Sequence, residues 1–82
     1  MITVRYFASL REQLGTEERV MWRQGLTLAS LRDALIGMDA VHAAALTRDR
    51  AVRCALNQLM SSEDALIPDG AEVAFFPPVT GG

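Results

Sequence analysis

The strongest chemical signal in this 82-residue chain is where it ends, with Gly81-Gly82 following Phe76-Pro77-Pro78-Val79-Thr80. A terminal carboxylate is a backbone acid group that an enzyme can activate. Two glycines leave it without a nearby Cβ, so it can thread where larger residues clash. Pro77 and Pro78 set an extended course and remove two amide donors, which discourages folding back or pairing in a sheet. Residues 77–82 can span about 20 Å at roughly 3.3 Å per residue. The expected chemistry is activation at Gly82 and insertion of the tail into another protein. Chance gives a terminal glycine pair in roughly one chain in two hundred, and frayed ends are often small and polar. Here, however, aromatic residues run into prolines with no polar linker between.

The remaining chemistry-bearing residues are sparse. Cys54 is the only cysteine, which excludes an internal disulfide and a multi-cysteine zinc site. In the apolar run Ala51-Val52-Arg53-Cys54-Ala55-Leu56 it reads as a small buried hydrophobe before it reads as a nucleophile. His42, the only histidine, has no second ligand-type neighbour in sequence and is expected at the surface. No acid–base dyad, metal set or phosphate loop marks a self-contained enzyme. All eight basic residues are arginine. With no lysine, the chain offers no side-chain amine for chains of itself.

Eighty-two residues make one domain, which at this size buries roughly 60% of its unfolded surface. Half the residues are hydrophobic and 22% are charged, a globular composition. A net charge of −2 gives no reason to expect nucleic acid or an anionic membrane. No apolar run approaches a membrane span, and the N-terminus lacks the features of a secretory signal. With one cysteine, these point to the cytoplasm.

Periodicity supplies the elements that must position the tail. Ile2, Val4, Tyr6 and Ala8 alternate with Thr3, Arg5 and Phe7, predicting a strand. A short helical turn over 9–14 ends at Gly15, and a second strand is predicted over 19–23. Thr27 caps a helix with Leu28, Leu31, Leu35 and Met38 at helical spacing, placing Arg32 and Asp33 on the opposite face. The helix stalls near Gly37, and 40–46 forms a second piece. Residues 47–50 read as a solvated loop. A strand over 52–56, a turn at Asn57-Gln58, a short return at Leu59-Met60 and a last strand over 72–76 complete the order. The resulting fold class is α+β, a mixed sheet with one main helix packed on one face, in the order of the β-grasp (ubiquitin-like) fold. The domain is expected over 1–76, with an extended tail over 77–82.

Alternation also assigns faces. If Ile2, Val4 and Tyr6 point at the helix, Phe7 points away. If Val73 and Phe75 point inward, Ala74 and Phe76 point outward. Were the first and last strands neighbours, Phe7 and Phe76 would meet on the open face where the tail departs. The pattern alone leaves open a docking patch, a pair covered by loops, or a register shifted by one.

Residues 69–82, Asp69-Gly70-Ala71-Glu72-Val73-Ala74-Phe75-Phe76-Pro77-Pro78-Val79-Thr80-Gly81-Gly82, resemble the C-terminal signature of the small, sulfur-carrier subunit of molybdopterin synthase, the MoaD family. Val4-Arg5-Tyr6-Phe7-Ala8-Ser9-Leu10-Arg11-Glu12 is similar to that family's first strand and turn, and Ala55-Leu56-Asn57-Gln58 to its third-strand segment. The resemblance implies a carrier in molybdenum cofactor biosynthesis, a non-catalytic subunit of a sulfurtransferase that binds no cofactor or metal itself. An ATP-dependent, ubiquitin-activating-like adenylyltransferase would adenylate Gly82. A persulfide donor would convert it to a thiocarboxylate. The tail, Pro77, Pro78, Val79, Thr80 and Gly81, would carry the sulfur into the synthase's large subunit, to a cyclic pyranopterin monophosphate precursor. The family's assembly is two small and two large subunits. Its contact positions match Phe7, Phe76, Met60 and Arg11 here. The chain departs from the family in carrying Arg48 and Arg50 where lysine is frequent, and in the polar Ser61-Ser62-Glu63-Asp64. The alternatives are a carrier for thiamine, tungsten-cofactor or tRNA thiolation pathways, a ubiquitin-like protein modifier, and an interaction domain with an inert tail.

Overall fold

A computed structural model describes residues 1–78. The expected tail positions Val79, Thr80, Gly81 and Gly82 lie outside the described residues. The elements are β1 (Ile2–Tyr6), α1 (Ala8–Leu14), β2 (Glu17–Val20), α2 (Leu28–Ile36), α3 (Ala40–Leu46), β3 (Arg53–Leu56), β4 (Leu59–Met60) and β5 (Glu72–Phe76). The five strands form one sheet in the order β2-β1-β5-β3-β4. β1 and β5 run parallel, with Val4 opposite Val73 and Tyr6 opposite Phe75, and every other pairing is antiparallel. The crossover through the helices makes that parallel pair accessible to one chain. This is the α+β, β-grasp architecture that the element order predicts.

The core lies between one sheet face and the helices. Ile2, Val4 and Tyr6 of β1 and Val73 and Phe75 of β5 are buried against Leu10, Leu28, Leu31, Leu35 and Leu46. Tyr6 and Phe75 stack with ring centroids 6.3 Å apart. α2 starts where expected because Thr27 and Ser30 form a reciprocal cap: Ser30 N donates to Thr27 Oγ1 at 3.1 Å, and Thr27 N donates to Ser30 Oγ at 2.9 Å. Asn57 and Gln58, both at positive φ, make the two-residue reversal between β3 and β4. Asn57 then anchors that hairpin to β5, since its Oδ1 accepts from Glu72 N at 3.0 Å.

Four local expectations need correction. β2 occupies Glu17–Val20 rather than 19–23. Met21 is exposed, and Trp22 leaves the strand so that its Nε1 can donate to Ile67 O at 2.7 Å. Met38 lies past the end of α2, which stops at Gly37, and is exposed rather than part of the apolar stripe.

Arg32 is buried, not on a solvent face. α3 and the loop after it fold over its side chain, whose Nε donates to Leu46 O at 2.8 Å. Its Nη2 donates to Thr47 O at 2.7 Å and to Arg50 O at 3.0 Å, and its Nη1 pairs with Glu63. The guanidinium thus satisfies carbonyls orphaned at the end of α3. Arg48 lies above it and pairs with Asp33 and Glu63.

His42 is not a free surface residue either. Its Nε2 lies 2.7 Å from Glu18 Oε2 and its Nδ1 lies 2.8 Å from Asp39 Oδ1. Burial opposes the charged ring, but the two carboxylate hydrogen bonds outweigh it and raise the pKa above that of ordinary histidine. Tyr6 donates to the same Glu18 oxygen at 2.7 Å, and burial, with that bond second, pushes its phenol far up.

Candidate docking face and tail exit

Among the described residues no helix covers the other face of the sheet. Its side chains are the alternate residues of each strand, and the strand register fixes which of them are neighbours. Across the middle row Arg5 of β1 faces Ala74 of β5, Ala74 faces Ala55 of β3, and Ala55 faces Met60 of β4. Two adjacent alanines between longer side chains leave a trough. Arg5 walls it on one side and Met60 on the other, and Phe7 and Phe76 stand at the end nearest the tail. It encloses about 420 Å³ and continues to Gln58 and Glu72. Phe7 and Met60 are exposed and Phe76 is half-buried.

Three of the four expected contact residues, Phe7, Met60 and Phe76, therefore line one trough. Arg11 does not. It lies on α1, exposed, to one side of Phe7, and its backbone N donates to Phe7 O at 3.4 Å. Sequence reasoning missed the trough's floor. Ala55 and Ala74 carry no chemistry, and their effect comes from being small at paired positions. The usable signal was the outward alternation of β5 combined with the β3 register.

The ladder between β1 and β5 reaches the point of exit, where Phe7 N donates to Phe75 O at 3.2 Å. Pro77 then ends β5, as proline must. Pro77 and Pro78 lie against a second, apolar slot of about 280 Å³ lined by Leu10, Arg50, Ala51 and Val52. The chain thus leaves the sheet between an aromatic trough and an aliphatic slot. Segment 50–52, one wall of that slot, is held from below by the Arg32 bond to Arg50 O.

Cys54 is buried, as its context predicts, with Sγ 3.5 Å from Ser61 O. Burial, the larger influence, raises its thiol pKa, so it is a poor thiolate nucleophile in this state. Among the described residues no group of three or more His, Cys, Asp or Glu side chains is arranged to hold a metal ion, and no helix is long and apolar enough to cross a membrane. What the described residues present is an apolar trough beside the exit of the chain from the sheet.

The fold and the exit define a small β-grasp protein, and residues 4–82 match the model of the ThiS family. The chain belongs to that family. Over its full length it is 42% identical to the molybdopterin synthase sulfur carrier subunit of Escherichia coli, covering all of both chains. It is 33% identical to the subunit of the same name from Haemophilus influenzae, again over the whole of both. Among solved structures it is similar to SAMP1 from Haloferax volcanii, with a TM-score of 0.77 and 27% identity over 99% of this chain and 98% of that one.

Proposed function

We propose that this protein is the sulfur-carrier subunit of a molybdopterin synthase in molybdenum cofactor biosynthesis, with the Gly82 carboxylate as its working group. The observation that carries the reading is the convergence of Phe7, Met60 and Phe76 on one trough beside the Pro77-Pro78 exit. Membership of the ThiS family and full-length identity to two molybdopterin synthase sulfur carrier subunits support it.

The division of labour follows from the chemistry. A carboxylate is a weak electrophile with a poor leaving group. An adenylyltransferase using ATP transfers AMP to Gly82 and releases pyrophosphate. The sulfur of a persulfide donor attacks the glycyl carbonyl, AMP departs, and thiol cleavage of the resulting acyl disulfide leaves a thiocarboxylate. The domain over 1–76 supplies the docking trough, and the tail over 77–82 supplies reach. Two prolines limit the ordering entropy lost when that tail enters the large subunit's pocket. There the thiocarboxylate gives sulfur to a cyclic pyranopterin monophosphate precursor, and the regenerated carboxylate is charged again. The protein binds no cofactor itself; ATP belongs to the activating enzyme. The proposed setting is the cytoplasm, and the proposed assembly pairs two small with two large subunits.

The deciding measurement is the intact mass of the protein isolated from its own cell. Exchange of one oxygen for one sulfur, located by fragmentation at Gly82 rather than on an oxidised methionine, is the expected result. An unmodified terminus under conditions of active cofactor synthesis would overturn the reading. Lysine adducts formed on mixing with the activating enzyme would show a protein modifier instead.

A further inference from the structure

The aromatic end of the trough is flanked by two arginines, Arg5 and Arg53, whose side chains donate no hydrogen bond among the described residues. Phe76 pairs across β5–β3 with Arg53, and Phe7, still extended just past the end of β1, lies two positions after Arg5, so alternation puts all four on the open face. Arg5 Cζ lies 5.6 Å from the centre of the Phe7 ring. Among the described residues neither arginine donates a side-chain hydrogen bond, whereas Arg32 and Arg48 donate several. Arg5 Nε is buried without an acceptor. Glu17 and Glu72 approach the Arg5 guanidinium only to 4.0 Å, the outer limit of an ion pair. Arg53 makes no ion pair among the described residues.

Covering the trough would strip water from these two cations. A buried charge left without a partner is strongly unfavourable, so a face that fits here must bring acceptors to both sides of its apolar contact. Arg5 and Arg53 belong to strands on opposite sides of β5, which spaces the two acceptors across the strand that carries Phe76. Glu72 lies on the side of Arg5 away from the tail, and Glu17 sits level with Arg5 on β2, outside the trough. Arg53 therefore stands beside Phe76 at the exit end, Arg5 walls the middle of the trough, and Glu72 marks the far end.

We propose that Arg5 and Arg53 are specificity-determining residues of the docking face, selecting a partner surface in which two carboxylates bracket an apolar knob seated between Phe7 and Phe76. The inference rests on the docking role proposed above. Flanking charges of this kind set encounter rate and partner choice more than they add contact energy. A competitor presenting an apolar knob between lysines is excluded by repulsion on both sides.

The test uses the full chain and the purified large subunit of molybdopterin synthase from the same organism, with association and dissociation rates measured at low and high salt. Wild type should bind faster at low salt. R5L and R53L should each flatten that salt dependence, and R5E/R53E should weaken binding about tenfold or more, mainly through the association rate. Thermal unfolding of each variant checks that the fold is intact. If R5L and R53L keep the wild-type rates and salt slope while Phe76→Ala weakens binding, the arginine inference is wrong and the docking face stands. If wild type fails to bind, or Phe76→Ala binds as wild type does, the docking reading falls and this inference with it.

Discussion

Phe75 and Phe76 are neighbours in sequence and opposites in role. Phe75 is 1% exposed, stacked on Tyr6 beneath the helices. Phe76, one residue on, is turned to the uncovered face and lines the trough beside the exit. The same contrast separates the arginines. Arg32 directs its donors to three carbonyls and a carboxylate inside the fold, while Arg5 on the open face donates none among the described residues. One face of the sheet is closed on itself and the other has unspent apolar surface and unspent donors. Stability resides on the first, and the second is the face proposed for docking.

That contrast can be broken at several points. Deletion of Gly82 should have the largest functional effect, abolishing adenylation and sulfur transfer while leaving the melting temperature unchanged. Sulfur transfer at the wild-type rate would remove the tail from the mechanism. Phe75→Ala should cost about 3–5 kcal/mol of stability, because a fully buried aromatic leaves a cavity that the core cannot close. Denaturant titration measures it, and a loss below about 1 kcal/mol would place that ring outside the core.

Phe76→Ala should show the reverse pattern. Binding to the large subunit should weaken by about 2 kcal/mol, as expected for an aromatic anchor, with a smaller change in unfolding free energy. Equal losses in both measurements would assign Phe76 to the core and erase the distinction between the faces. Thr27→Ala sharpens the comparison from the closed side. Loss of the cap should lower stability by about 1 kcal/mol and leave partner binding at its wild-type value.

The smallest effect concerns pH. His42 lies between Glu18 and Asp39 with its folded pKa raised, so its contribution is fully present below the unfolded value near about 6.5 and fades as pH rises through the folded value. Thermal unfolding followed from about pH 6 to about pH 9 should show this shallow decline, and His42→Gln should flatten it. An NMR titration placing the His42 pKa below that of an unstructured histidine would overturn the assignment.

Much of the fold was legible because it follows local rules. Alternation in 2–7 and 72–76 predicts both central strands and their faces. Thr27 marks the start of α2, Asn57-Gln58 the hairpin, and Pro77 the end of β5. What failed depended on distant partners. Trp22 leaves its strand for a carbonyl on Ile67, forty-five positions away. Arg32 and His42 carry polar side chains whose default is solvent, yet α3 buries one and Glu18 captures the other. In the candidate site the aromatic pair was visible, but the trough was not, because two alanines become a floor only when register sets them side by side.

The order of residues alone determined which side chains alternate, where helices begin, and that a stiff double-proline stretch leads to two glycines; these are consequences of backbone sterics and short-range periodicity. Tertiary structure decided which face stayed uncovered, that Met60 joins Phe7 and Phe76 while Arg11 stands aside, and that Arg5 is left with donors to spare. Those outcomes depend on which strands lie adjacent, and adjacency between residues far apart in the chain is fixed by burial of the whole core rather than by any local run.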